Sequence, residues 1–242
     1  SLNGSLSSKT APELGSIVIK KCVENSNLNK EEVHMLYMGQ VLTAGVGQNP
    51  ARQAGIFAGL LNETTNTTLN QVCGSGLASI AMAYNSIKCR DAEIIIAGGQ
   101  ENMSNSPHCI NIRKDEKISN EKMKDTMIID GLWDVYNDKH MGSCAELCAT
   151  EKNFSRKDQD LFAKESYNRA QEAESKGLFN DEIVPLNVNQ RKGDPLCVDK
   201  DDEPLRANFK KMDLLRPVFK KNGTITAANA SKINDGAAAL LF

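Results

Sequence analysis

The sequence predicts a layered α/β domain that carries a long excursion. Three observations point there. Short apolar or β-prone runs alternate with helix-spaced stretches between Ala11 and Ala97. The sharpest case is Thr67–Ala83, TTLNQVCGSGLASIAMA, where three β-prone residues break at Cys73-Gly74-Ser75-Gly76 and small and apolar residues follow at helical spacing. Between Ser104 and Leu215 the texture becomes charged and poor in strand-like runs, and α/β texture then returns at Gly223–Asn229 and Gly236–Phe242. The expected division is a core of residues 1–103 and 216–242, with residues 104–215 inserted into it.

In order, Ser1–Ser8 reads as a polar loop, and Ala11–Asn25 as a helix with an apolar stripe of Leu14, Ile17, Val18 and Cys22 that packs on a sheet. Val33–Leu42 reads as a strand. Gly45 and Gly47 turn the chain into a helix at Pro50–Leu60, where Pro50 suits the first turn. Glu93–Ala97 is a short apolar run of buried-strand type that ends in Gly98-Gly99. Inside the excursion, helices are expected at Met141–Asn153 and Arg156–Lys176, the second with Ser155 as N-cap, Asp158 in the capping-box position and Gly177 as its stop. Asp181–Val188 is a candidate strand, Arg191–Lys211 is polar and turn-rich, and Gly236–Phe242 reads as the last strand.

Composition narrows the function. A net charge of −2 gives no basic footprint for nucleic acid, and no apolar run approaches the roughly 18 residues that span a membrane. Seven cysteines in an irregular, odd-numbered set suit a reducing compartment, the cytoplasm or alternatively the mitochondrial matrix. Seven N-x-S/T triplets read as coincidence in a chain rich in Asn, Ser and Thr.

Chemistry concentrates at Cys73. A thiol just ahead of a helix sits where unpaired N–H groups and the positive end of the helix dipole favour thiolate. Gly74 and Gly76 leave room beside it for an acyl group. A buried structural cysteine is the competing reading, and a serine nucleophile elbow fits less well because Gly74-Ser75-Gly76 lacks the G-x-S-x-G spacing. His140, Cys144 and Cys148, at i, i+4 and i+8, would share one helix face. A metal would need a fourth ligand, so the two cysteines are expected to be core. His34, expected on a strand surface, and His108 carry no role.

NQVCGSGLASI resembles the nucleophile segment of thiolases, which make or cleave 3-ketoacyl-CoA thioesters. Four further stretches resemble that family in the same order: GQNPARQAG at Gly47–Gly55, AGGQENMS at Ala97–Ser104, HMGSCAE at His140–Glu146 and TAANASKINDGAAAL at Thr226–Leu240. The resemblance implies a thiolase fold, a layered αβα N-terminal half in which residues 104–215 form a coenzyme A-binding loop domain. It implies an acyltransferase that joins two acetyl-CoA into acetoacetyl-CoA and CoA through an acyl-Cys73 intermediate. Leu132, His140, Met141, Phe219, Ala227, Ala230 and Ser231 would line the coenzyme A site, and Arg206 would meet its phosphates. Tyr167 with Ala227, Ala228 and Ala230 resembles a potassium site of some family members. No cofactor is implied beyond coenzyme A as part of the substrate, and the full-length partner is another copy, as a dimer or tetramer.

The family's general-base histidine, second acid/base cysteine and N-E-A-F segment, which belong to a C-terminal half of similar fold, have no counterpart in these residues. The chain is therefore expected to be an N-terminal half clipped at both ends and inactive alone. The resemblance also puts the family's first strand before Ser1 and in mid-sheet, so that its loss would leave unpaired ladder groups in the core, at about 1–3 kcal/mol each. The competing readings are a ketoacyl-synthase-like enzyme, which leaves the HMG and NASKINDG stretches unexplained, and, for a complete chain, a non-catalytic protein that binds acyl-CoA or lipid.

Overall fold

The computed structural model describes residues 1–112, 119, 122–190 and 192–242. In chain order the elements are α1 (Ala11–Ser26), β1 (Met35–Gly39), α2 (Pro50–Phe57), β2 (Thr65–Leu69), α3 (Ser75–Cys89), β3 (Ile95–Asn102) and a small ribbon of β4 (His108–Cys109) with β5 (Lys124–Asp125). Next come β6 (Trp133–Asp134), β7 (Lys139–His140), α4 (Met141–Glu151), α5 (Arg156–Ser175), β8 (Leu186–Val188), β9 (Leu196–Val198), α6 (Phe209–Met212) and β10 (Asp235–Leu241). Arg191, the first residue of the turn-rich stretch, lies outside the described residues.

The chain forms two compact units, residues 2–131 with 233–242, and residues 132–232 with Ser1. These breaks fall later than positions 104 and 215, for a polar reason. Ser104 donates from its amide and its hydroxyl to Asp235, and Asn105 donates to the carbonyls of Ser7 and Lys9, which fastens the chain after β3 to the first unit. Residues 223–232 are fastened to the second unit by Glu146, Asp160 and Glu203, as detailed below. Gly223–Asn229, expected to return to α/β texture, contains no helix or strand.

The first unit is built on one four-stranded sheet in the order β10-β3-β1-β2. β1 is parallel to β2 and to β3, while β10 runs antiparallel along β3 with Asp235 opposite Asn102 and Leu241 opposite Ile96. The expected gap in mid-sheet is not there. β3 pairs directly with β1 and β10, so the ladder runs unbroken across the four strands.

Side chains alternate across the pleat and feed two apolar layers. On one face Leu36, Met38 and Ile96 pack with Ile19 of α1 and Ala51 and Ala54 of α2. On the other, Tyr37, Ile95 and Ala97 pack with Ala83 of α3. Helix, sheet and helix thus make the three layers expected of the αβα half. α1 opens with a capping box between Thr10 and Glu13, but its inner stripe is Ala11, Leu14, Gly15 and Ile19 rather than the expected set through Ile17 and Val18. Gly15 sets that rotation, because a Cβ there would strike the buried Gln100 side chain.

The second unit holds its two main helices through capping and ion pairing. Ser155 caps α5 in a reciprocal box with Asp158, which draws the Asp158 carboxyl below its ordinary value. Gly177 follows with φ +65°. Of the expected strand at Asp181–Val188, Leu186–Val188 forms, paired antiparallel with Leu196–Val198.

Candidate active site

β2 delivers the chain to Cys73 through a turn locked from both sides. Asn70 Oδ1 accepts the Val72 amide at 2.8 Å, and the Ser75 hydroxyl accepts the Gln71 amide at 2.8 Å while it donates to the Val72 carbonyl at 2.6 Å. Val72 is held at φ +49°, a left-handed conformation that a β-branched residue rarely adopts. Such strain persists where the surroundings over-determine it, and it clusters at functional turns. Its effect here is positional: Cys73 is exposed, one residue ahead of the N-cap Gly74 and two ahead of the first residue of α3. The buried-cysteine reading is thereby excluded.

α3 lies close on the sheet because its inner stripe is small: Ser75, Ser79 and Ala83. Ser79 Oγ contacts the Gly98 carbonyl at 2.7 Å. Beneath the helix start, a Cβ on Gly39 would come within 2.6 Å of the Ser75 carbonyl carbon, so the strand ends there without a side chain. The sequence signals Cys73 but not this floor, whose requirement comes from a tertiary approach. Nearby in the same unit Glu101 accepts the amides of Val41 and Leu42. Burial pushes the Glu101 carboxyl above its ordinary value, against those two bonds. His34 lies just ahead of β1 and accepts the Glu93 and Ile94 amides on Nδ1, and His108 is exposed on β4.

The other candidate residues lie in the second unit. His140 is the N-cap of α4 rather than part of its face, and its Nδ1 accepts the Gly142 amide at 2.9 Å. With Nδ1 an acceptor, a neutral ring carries its proton on Nε2. The ring stacks on Phe219, with centroids 5.0 Å apart and an interplanar angle of 20°, so two of the expected coenzyme A contacts are one assembly. Met141 is exposed beside it, and Leu132 is half-buried at the end of a π-helical turn, Met127–Leu132. Cys148 is exposed and Cys144 half-buried, so the pair is not core: α4 buries Gly142, Glu146 and Ala149 instead. Arg206 is exposed, and its guanidinium donates to the Ser1 hydroxyl at 3.2 Å.

Three ionic ties hold the Thr224–Lys232 segment, which contains Ala227, Ala230 and Ser231. Glu146 accepts the Thr224 amide at 2.9 Å and the Ile225 amide at 2.8 Å. Burial raises its pKa, but the Ile225 and Thr224 donors outweigh that and leave it below the ordinary value. Asp160 takes Arg156 Nε at 2.7 Å on one oxygen and Asn229 Nδ2 at 2.9 Å on the other. Lys232 Nζ donates to the Ala227 carbonyl at 2.7 Å and pairs with Glu203 at 2.9 Å. Sequence reading missed Glu146, Asp160 and Lys232, whose partners in this segment are distant in sequence or carried by the backbone. The one visible signal was a lysine inside an otherwise small and neutral motif.

That lysine bears on the potassium site. Of the oxygens assigned to the ion, the Ala227 carbonyl is already bound to an ammonium, which Glu203 also pairs. The residues present do not fit a potassium ion there.

A family model described as the thiolase N-terminal domain matches residues 1–242. An acetyl-CoA acetyltransferase of Cupriavidus necator is 52% identical over 241 residues, with 98% of this chain and 61% of that protein covered. A mitochondrial acetyl-CoA acetyltransferase of Xenopus tropicalis is 47% identical, covering 100% and 58%. The Acat5 thiolase from Ascaris suum, solved in complex with coenzyme A, superposes with a TM-score of 0.92 at 36% identity, covering 100% of this chain and 62% of that one. The chain thus spans about three-fifths of the length of these relatives. On the whole-chain match, it belongs to the thiolase family, as an N-terminal domain.

Proposed function

We propose that the protein bearing this chain is an acyltransferase that reversibly joins two acetyl-CoA into acetoacetyl-CoA and free coenzyme A. The observation that carries the reading is the exposed Cys73 thiol on its strained turn ahead of α3. The names of the relatives, acetyl-CoA acetyltransferases, support the substrate. The Cys73 sulfur attacks the thioester carbonyl, the bond to the coenzyme A sulfur breaks, and coenzyme A leaves with a proton. Cys73 then holds acetyl as a new thioester. A base removes an α-proton from a second acetyl-CoA, and the resulting carbon attacks acetyl-Cys73. The new carbon–carbon bond forms as the Cys73 sulfur departs. The Cys73 amide serves as one donor to the tetrahedral oxyanion, while His140, Met141 and Phe219 bind coenzyme A.

No base is assigned among these residues. His34 caps a strand start and His140 caps α4, so neither is free to serve. General-base assistance is worth about 10²–10⁴-fold, so residues 1–242 alone should acylate Cys73 without sustained turnover. For the compartment we favour the cytoplasm, and the name of the Xenopus relative supports the mitochondrial matrix as the alternative. Among the described residues no helix is long and apolar enough to cross a membrane. In full-length form the protein would assemble with copies of itself.

The test follows labelled acetyl-CoA into protein-bound label and into acetoacetyl-CoA separately. Full-length protein should form both. Cys73→Ala should lose product formation by at least about 10³-fold and all bound label. Label retained on Cys73→Ala would overturn the assignment.

A further inference from the structure

Lys232 is the one cation of the Thr226–Lys232 segment, and its stem is drawn inward. The ammonium has three donors, and two oxygen partners are seen: the Ala227 carbonyl at 2.7 Å and Glu203 Oε1 at 2.9 Å. The two come from separate places in the second unit: Ala227 belongs to the turn that the lysine itself closes, and Glu203 precedes a short helical turn at Pro204–Arg206. The Lys232 side chain keeps 29% of its exposure. Burial lowers its pKa, but Glu203 and Tyr167 raise it more, so it stays charged.

We infer that the Lys232 ammonium is a tethered monovalent cation, which ties the Ala227–Ser231 turn to Glu203 and makes this chain independent of potassium. A compact ammonium and a potassium ion ask for the same thing, a ring of neutral and anionic oxygens around one positive charge. A free ion at the same carbonyl would compete for that oxygen and face a fixed like charge in contact with it. The tether also removes the ordering cost that a diffusing ion incurs at each binding event. Lys232 touches no substrate in this account. It is a positioning residue for Ala227, Ala230 and Ser231, and to that extent the inference rests on the proposed acyl transfer.

The experiment compares potassium chloride with choline chloride at equal ionic strength on full-length protein. It reads acetoacetyl-CoA formation and, independently of any reaction, the melting temperature. The parent should show no potassium-specific change in either. Lys232→Ala should lose turnover on the order of tenfold in choline, the size expected for a charged hydrogen bond removed from a partly buried site. Potassium should restore turnover and raise the melting temperature, as a ligand of the native state does. Lys232→Met, which keeps the stem volume, stands in if the alanine variant does not fold. A potassium-specific rise in activity or melting temperature in the parent would overturn the inference. So would a variant whose turnover and melting temperature match the parent's in both salts. If the parent makes no acetoacetyl-CoA but the melting arms come out as expected, the cation inference stands and the acyl-transfer reading fails.

Discussion

The two units reach order by different means. In residues 2–131 and 233–242, buried apolar side chains form two layers on the faces of one sheet, with Leu36, Met38 and Ile96 on one side and Tyr37, Ile95 and Ala97 on the other. In residues 132–232 the buried apolar residues are Ala149, Val188, Met212 and Ile225. The ties there are Glu146 to Thr224 and Ile225, Asp160 to Arg156 and Asn229, and Lys232 to Glu203. Apolar burial is non-directional and tolerates variation in residue type, whereas a buried carboxylate is committed to particular donors. One unit should therefore fail through sterics and the other through lost donors or protons.

Backbone crowding tests the first unit most severely. Gly39→Ala puts a Cβ against the Ser75 carbonyl carbon and the Gly76 amide, and should cost about 3 kcal/mol. Far-UV circular dichroism of urea unfolding reads the whole chain, while fluorescence of Trp133, the one tryptophan, reads the second unit. A dichroism midpoint that falls while the Trp133 midpoint holds would sharpen the contrast. Equal falls would show the two as one cooperative body.

A smaller effect is expected at Glu146. Glu146→Ala strands the Thr224 and Ile225 amides, at a cost of about 2 kcal/mol. Hydrogen exchange at those two amides should accelerate while Met38 and Ile96 stay protected. Unchanged exchange at Thr224 and Ile225 would mean that water or backbone replaces the carboxylate without loss.

Acid should separate the units most gently. Glu146 has a folded pKa below the ordinary 4.5, so its contribution is complete above that value and is lost as pH falls through the folded one. Glu101 has a folded pKa above 4.5, so its charge opposes folding at neutral pH, and protonation on the way down to 4.5 relieves the first unit. A pH titration of exchange should show core sheet amides such as Met38 and Ile96 gaining protection before Thr224 and Ile225 lose theirs. The reverse order would refute the contrast.

The same divide explains what could be read from residues. α2, α3, α4, α5 and β10 were legible within a few positions, because Pro50, Cys73-Gly74, Ser155 and Gly177 punctuate the chain locally. The nucleophile turn was legible for the same reason. The inner face of α1 was not, since it is chosen by a close approach of Gly15 to Gln100, far along the sequence. Nor did helical spacing show that His140 stands outside α4 as its cap. The unit breaks were hidden because Asp235, Glu146 and Asp160 act across 69 or more residues on Ser104, Thr224 and Asn229.

Beneath α3 the sheet offers bare main chain. Gly39 abuts the start of the helix, where a methyl would strike the Ser75 carbonyl carbon and the Gly76 amide. A side chain introduced at Gly39 would displace the helix. Substitutions meant to change what can approach Cys73 should therefore leave Gly39 and the locked turn alone and start from Leu77, exposed on the first turn of α3.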